Sequence, residues 1–410
     1  MKTWLLRLLH LVLLLLPPPL RDNFMASQRP SGDGLEVHHP IVMTAGFSCP
    51  DLEARLTEAY TPSLPRCGAL KGKGCLVYDP ALNDYRNLPG VETRVPNFGS
   101  AYGFNEKKIV PDREKLCLVS LRKEIEALGY RDGDTLFGAP YDMRHAPPPP
   151  GQPSEVYSDY FARVKELVQH ASEKNQNKPV ILIGHSFGAR VVLDFVNSTP
   201  LPWREKYIKH LFLISPAVPT GFTMALTHLT AGPSVFPVAT VPFMELRALW
   251  RTFASSLLAM PSPVAFGDKP TIITQRKNYS AYDIEDFLLA LGFSAEETVP
   301  FVKRVLPTML NVEAPLVPTT YIIGTGIQTS EQLVFWEGNF DVAPENVYGD
   351  GDGSINLVSL LAFEKELRRQ QNQNNAPYKF VAIANATHSG IVMQEHLLRR
   401  VMNEILEANR

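Results

Sequence analysis

The chain has 410 residues, 45% of them apolar and 20% charged, an ordinary globular composition that suits one large core with insertions. A formal net charge of −2, with no long run of Lys or Arg, excludes the electrostatic footprint of a nucleic-acid binder. Four cysteines in a chain of this size exclude a disulfide scaffold, no Cys/His spacing suits zinc, and no cofactor is expected.

The first 34 residues read as a signal-like start: Met1-Lys2-Thr3-Trp4-Leu5-Leu6-Arg7 leads into the leucine run to Leu16, which Pro17-Pro18-Pro19 ends. The run is shorter than the roughly 20 residues of a bilayer span, so a secreted or vacuolar chain is expected rather than a membrane-spanning one. Sequons at Asn197, Asn278 and Asn385 fit a lumenal location. Ile41 to Gly46 reads as a buried strand ending in a glycine turn, and Tyr60 to Gly74, where Pro, Gly and Lys cluster, as a surface loop. The spacing of Cys67 and Cys75 suits closure of a small loop. The run from Ala146 to Gly151 is a stiff polyproline connector. Val156 to Ala171 then places Tyr160, Val164, Leu167, Val168 and Ala171 on one helical face.

Val180 to Ile183 is an apolar strand that breaks at Gly184-His185-Ser186-Phe187-Gly188 and continues as a helix with Ala189, Val192, Leu193 and Val196 at helical spacing. A serine on so sharp a strand-to-helix turn is the nucleophile elbow of an α/β-hydrolase, which makes Ser186 the candidate nucleophile. Further strands are expected at His210 to Ile214, Thr319 to Ile323 and Tyr378 to Ala384. Short apolar strands alternating with helices predict an α/β fold, with a mostly parallel central sheet flanked by helices. The residues between 216 and 316 interrupt that rhythm with a segment rich in Pro, Phe, Met and Leu, too apolar for a solvated linker and expected to cap the active site. The predicted organisation is a mobile N-terminus over 1–34, a first core part over 35–215 with a lid loop at 60–75, a cap over 216–316 and a second core part over 317–410.

A serine hydroxyl needs a base within hydrogen-bond reach and an acid to orient that base, and in this fold the chain order is Ser, then Asp or Glu, then His. His388, in the loop after the Tyr378 to Ala384 strand, is the expected base. His396 falls in the closing helix as a surface residue, and His228 in the cap is either packed or in contact with substrate. The acid is expected within Tyr348 to Asn356, where glycines flank both Asp350 and Asp352. A calcium loop starting at Asp350 is excluded, because Leu361 would stand where the bidentate glutamate belongs. The oxyanion donors are expected to be the backbone N–H groups of Phe187 and Phe47, with no metal required.

Several motifs in order resemble the lecithin:cholesterol acyltransferase family, most closely its plant members, with lysosomal phospholipase A2 among the relatives. They are Asp51-Leu52-Glu53-Ala54-Arg55-Leu56, Pro89 to Pro96, Gly138-Ala139-Pro140-Tyr141-Asp142-Met143-Arg144, and the serine and aspartate motifs. The resemblance implies phospholipase A and O-acyltransferase chemistry, in which an acyl group passes from a phospholipid ester through the serine to water, a sterol or another lipid alcohol at a peripheral lipid surface. It also maps the family's Gly-Asp-Gly-Thr-Val aspartate onto Asp352. The chain departs from the family's Pro-Gly at Ala45-Gly46, from its Thr-Val at Ser354-Ile355, and from its longer, aromatic lid between Cys67 and Cys75. A truncated lid favours a second reading, a soluble carboxylesterase; a third is a non-catalytic lipid-binding or interaction protein on the same fold.

Overall fold

The structure is a computed structural model that describes residues 39–47, 49–61, 74–104, 117–217, 220–230 and 243–410. The signal-like N-terminus, Cys67 and most of the lid loop lie outside the described residues.

Six strands, β1 (Ile41–Thr44), β2 (Leu136–Gly138), β3 (Val180–His185), β4 (Ile208–Ile214), β5 (Thr319–Thr325) and β6 (Tyr378–Ala384), form the main sheet in the order β6-β5-β4-β3-β1-β2. Every neighbouring pair is parallel. All six residues of β3 are buried, as are six of the seven in β5, because helices cover both faces and a parallel strand then has no wet side. The edge strand β6 is mostly exposed. The helix Glu155–Lys174 is capped by Ser154, which accepts from the Tyr157 N–H, and it buries Tyr157, Tyr160, Val164, Val168 and Ala171. This is the α/β-hydrolase architecture read from the sequence. Five of its strands were expected; β2, three residues long, is too short to show a period.

After β5 the chain turns at Gly326 (φ 82°) into a long antiparallel hairpin of Ile327–Phe335 and Glu345–Gly351 that the sequence reading did not foresee. Its second strand carries the chain back to Asp352. The short strand Ile272–Thr274 adds in parallel to the hairpin, pairing Ile272 with Leu333, and Asn278–Tyr279 extends the sheet to four strands. The excursion between the neighbouring strands β4 and β5 is thus tied to the second half of the core by backbone hydrogen bonds. Its Leu226, Leu257, Met260, Phe287, Phe301 and Met309 share one buried cluster with Leu182 and Leu211 of the main sheet.

Buried arginines fix the end of that excursion. Arg304, fully buried, donates from Nε to Asp84 Oδ1 at 3.0 Å and from its two terminal nitrogens to the carbonyls of Pro147 (2.9 Å) and Ala146 (2.8 Å). Thr308 Oγ1 also donates to Pro147 O. The polyproline run therefore has a physical role: prolines offer no N–H, yet their carbonyls accept, and a rigid extended backbone presents them to a guanidinium at little entropic cost. Arg190 donates to the carbonyls of Thr308 and Asn311, and Arg204 to that of Pro315.

Cysteine usage goes beyond the one small loop that the spacing of Cys67 and Cys75 suggested. Cys49 and Cys117, with Cα atoms 5.7 Å apart, are bridged across 68 positions, and Cys75 is disulfide-bonded as well. The sequence hid the first bridge because its partners approach only in the folded chain. It staples the loop after β1 to the start of the helix Val119–Ala127.

Candidate active site

Ser186 stands between β3 and the helix Phe187–Asn197 with φ 57° and ψ −128°, a strained backbone for a residue with a side chain. The turn is held from both sides: the Ser186 N–H donates to Ile214 O at 3.0 Å, and its carbonyl accepts from the Ala217 N–H at 3.3 Å. Small neighbours make room for it. A side chain at Gly188 would strike the carbonyls of Thr44 and Ala45, and a methyl group at Gly46 would lie 2.7 Å from Ser186 Cβ. The loop after β1 is thereby pressed against the serine.

His388 lies in the loop between β6 and the short turn Gly390–Val392. Its Nε2 is 2.8 Å from Ser186 Oγ and its Nδ1 is 2.8 Å from Asp352 Oδ2. Asp352 is fully buried; its Oδ1 accepts from the N–H groups of Ser354 (3.0 Å) and Ile355 (2.7 Å), and its carbonyl accepts from the His388 N–H at 2.7 Å. With a carboxylate as its partner, Nδ1 carries the proton, which leaves Nε2 to accept from the serine hydroxyl. Asp350 does not reach this cluster. It remains in the hairpin ladder opposite Gln328, exposed, and its Oδ1 accepts from the Gly326 N–H at 2.7 Å.

His185, which the sequence pattern presents only as a letter of the elbow, is in contact with the same histidine. Its Nε2 donates to the His388 carbonyl at 2.9 Å, and the two rings stand 5.1 Å apart at 34°. The ring is 2% exposed. Burial, reinforced by the neighbouring His388, pushes its pKa down to about 3 and keeps it neutral.

Phe47 and Phe187 meet edge to face at 5.6 Å, and Tyr141 stacks on Phe187 at 6.0 Å while its hydroxyl donates to Ala45 O at 3.2 Å. The side chains of the two residues expected to supply oxyanion donors are thus in contact, Phe187 directly after the serine and Phe47 directly after Gly46. From the excursion, His228 stacks on Phe47 at 6.2 Å and meets Trp250 in a tilted contact at 5.2 Å. His228 is buried, and burial lowers its pKa to about 4, so it is a packed residue above the loop after β1. His396 is exposed on the closing helix. A cleft of about 690 Å³ lined by Tyr141, Asp142, His145, Arg94 and Arg163 contains none of Ser186, Asp352 or His388. Its Arg94 and Arg163 are paired with Glu53 and Asp159.

Comparison with known proteins gives this geometry a family context. Residues 71–314, which include Ser186 and end before Asp352 and His388, match the family model described as lecithin:cholesterol acyltransferase. The chain is 37% identical to lecithin-cholesterol acyltransferase-like 1 of Oryza sativa subsp. japonica, across 98% of its own length and 93% of the relative's. It is 34% identical to the protein of the same name in Arabidopsis thaliana, across 90% and 89%. It is 26% identical to the lysosomal phospholipase A and acyltransferase of Homo sapiens, across 73% and 69%.

Proposed function

Because the chain belongs to the lecithin:cholesterol acyltransferase family, we propose that it cleaves a glycerophospholipid ester through a Ser186 acyl-enzyme and passes the acyl group to a lipid alcohol or to water. The observation that carries this reading is the unbroken chain of hydrogen bonds from Ser186 Oγ through the His388 ring to Asp352. In the first half-reaction Ser186 Oγ attacks the ester carbonyl, its proton passes to His388 Nε2, and Asp352 stabilises the imidazolium that forms. The backbone N–H groups of Phe187 and Phe47 are the proposed donors to the oxyanion. When the tetrahedral adduct collapses, His388 gives that proton to the departing lysophospholipid oxygen. In the second half-reaction His388 deprotonates the acceptor hydroxyl, which attacks the acyl-enzyme and releases Ser186.

In this reading the segment 216–316 is a cap. Its closure over the acyl-enzyme decides between a lipid alcohol and water, since excluding water lengthens the life of the intermediate. The site works at a lipid surface in the secretory pathway or vacuolar lumen, and the Cys49–Cys117 bridge supports an oxidising compartment. Among the described residues, no helix is long and apolar enough to cross a membrane.

A fluorophosphonate probe tests the nucleophile: wild type is expected to label and Ser186→Ala to remain unlabelled. Radiolabelled phosphatidylcholine vesicles, with and without sterol, then test the substrate class. The expected result is release of lysophosphatidylcholine, with sterol ester or free fatty acid as the second product. Turnover of short soluble esters with no turnover of vesicle lipid would replace this reading with a soluble esterase.

A further inference from the structure

Four hydrogen bonds converge on His388, and two of them involve its main chain. The His388 N–H donates to Asp352 O at 2.7 Å, and its carbonyl accepts from His185 Nε2 at 2.9 Å. The dipeptide His185-Ser186 therefore grips the base at two points, Ser186 at the ring and His185 at the peptide. The other nitrogen of the His185 ring, Nδ1, is buried with no hydrogen-bond partner. Burying a polar atom without a protein partner is costly, so packing alone does not explain an imidazole here; a phenylalanine would fill the space without that penalty. The one hydrogen bond the ring does make goes to the residue that must move the proton.

We propose that His185 is a positioning residue for acyl transfer, holding the peptide of His388 so that Nε2 keeps its distance from Ser186 Oγ while the ring acts first as base and then as acid. The role rests on the Ser186–His388–Asp352 reading above. Between Ala384, which ends β6, and Gly390 the loop bearing His388 has no regular structure of its own. Asn385 within it adopts φ 57°, and among the described residues the histidine's own peptide is tied by hydrogen bonds to Asp352 and His185. A neutral donor suits this place, because a second positive charge would oppose the imidazolium that forms on His388 5.1 Å away. Burial keeps His185 in that neutral form.

The test uses three substitutions of His185 in the full chain, with His388→Ala as a second background. Glutamine places its amide nitrogen near the position of a histidine Nε2, asparagine stops about one bond short, and phenylalanine keeps the ring without a donor. His185→Phe and His185→Asn are expected to lower kcat on phosphatidylcholine about 10- to 100-fold with KM nearly unchanged, and to slow fluorophosphonate labelling in parallel. His185→Gln is expected to recover to within about threefold of wild type. In a His388→Ala background, His185→Phe is expected to cost nothing further, since a residue acting through the base has no effect once the base is gone. Wild-type kcat in His185→Phe, equal loss in the Gln and Asn variants, or a further loss in the His388→Ala background would each overturn the positioning role. If His185→Phe does not fold, the contrast between Gln and Asn still decides. Ser186→Ala retaining wild-type turnover would instead bring down the acyl-enzyme reading, so the two failures are distinguishable.

Discussion

Two aspartates with glycine neighbours, Asp350 and Asp352, look alike in the sequence, and the hairpin register separates them. Asp350 is still within the strand Glu345–Gly351, with its side chain in solvent and its Oδ1 on the Gly326 N–H. Asp352 comes one residue after the strand, where the chain turns inward and two N–H groups steady one carboxylate oxygen while the other meets His388. Asp352→Asn should therefore cost about 10³- to 10⁴-fold in kcat, because an amide can favour the wrong imidazole tautomer. Asp350→Asn, at an exposed position, should stay within about threefold. Release of labelled fatty acid from phosphatidylcholine measures both, and the opposite ranking would move the orienting role to Asp350. Ser186 and His388 could be put forward as candidates because each follows an apolar strand at a break in its pattern, and they lie within 2.8 Å of each other. His185 could not, since the pattern counts it only as the last buried residue of β3 and says nothing of what lies across from it.

Among the elements, those with continuous buried apolar runs were readable: β3, β4 and β5 each carry β-branched or leucine residues without alternation, the signature of a strand covered on both faces. The hairpin after β5 was not, because Thr329, Ser330, Glu331 and Gln332 break any clean period and a bulge falls between Ser330 and Gln332. The apolar excursion was expected as a cap from its composition, and no periodicity in the sequence announces that buried arginines hold its end. Arg304 makes the best case for testing. Arg304→Met strands the Asp84 carboxylate in a buried site and should cost about 3–5 kcal/mol. Arg304→Lys should recover little, since one ammonium cannot serve Asp84 and two carbonyls in the fork geometry of a guanidinium. Arg304→Met combined with Asp84→Leu should regain most of the loss by removing the stranded charge. Urea midpoints compare the four proteins. A double variant no better than the single one would show that the bonds to Ala146 and Pro147, rather than the ion pair, carry the stability.

At the scale of the whole molecule, the core keeps several histidines neutral, and that gives its stability a definite pH dependence. Burial lowers the pKa of His185 to about 3 and those of His228 and His210 to about 4, and it lowers His145 as well. The unfolded chain titrates each of them near 6.5. For His185, His228 and His210 the unfolded state thus binds protons between pH 6.5 and about 4 that the folded state refuses, and His145 acts in the same direction. Stability must then fall as pH falls, by about 1.4 kcal/mol per pH unit for each such histidine. Below the folded values the loss from each group is complete and the slope vanishes. Asp194 and Glu364, whose pKa values burial raises, act in the opposite sense and offset part of the loss. Four histidines against two acids leave the sign unchanged, so the melting temperature should drop steadily from pH 6.5 to 4.5. His228→Phe, which preserves an aromatic ring between Phe47 and Trp250, should flatten that slope by one group's share. Melting curves across this range, for wild type and the variant, measure both effects. A melting temperature that holds or rises on acidification would mean that the buried imidazoles find protons or water in the folded state, and the neutral His185 clamp would lose its electrostatic basis.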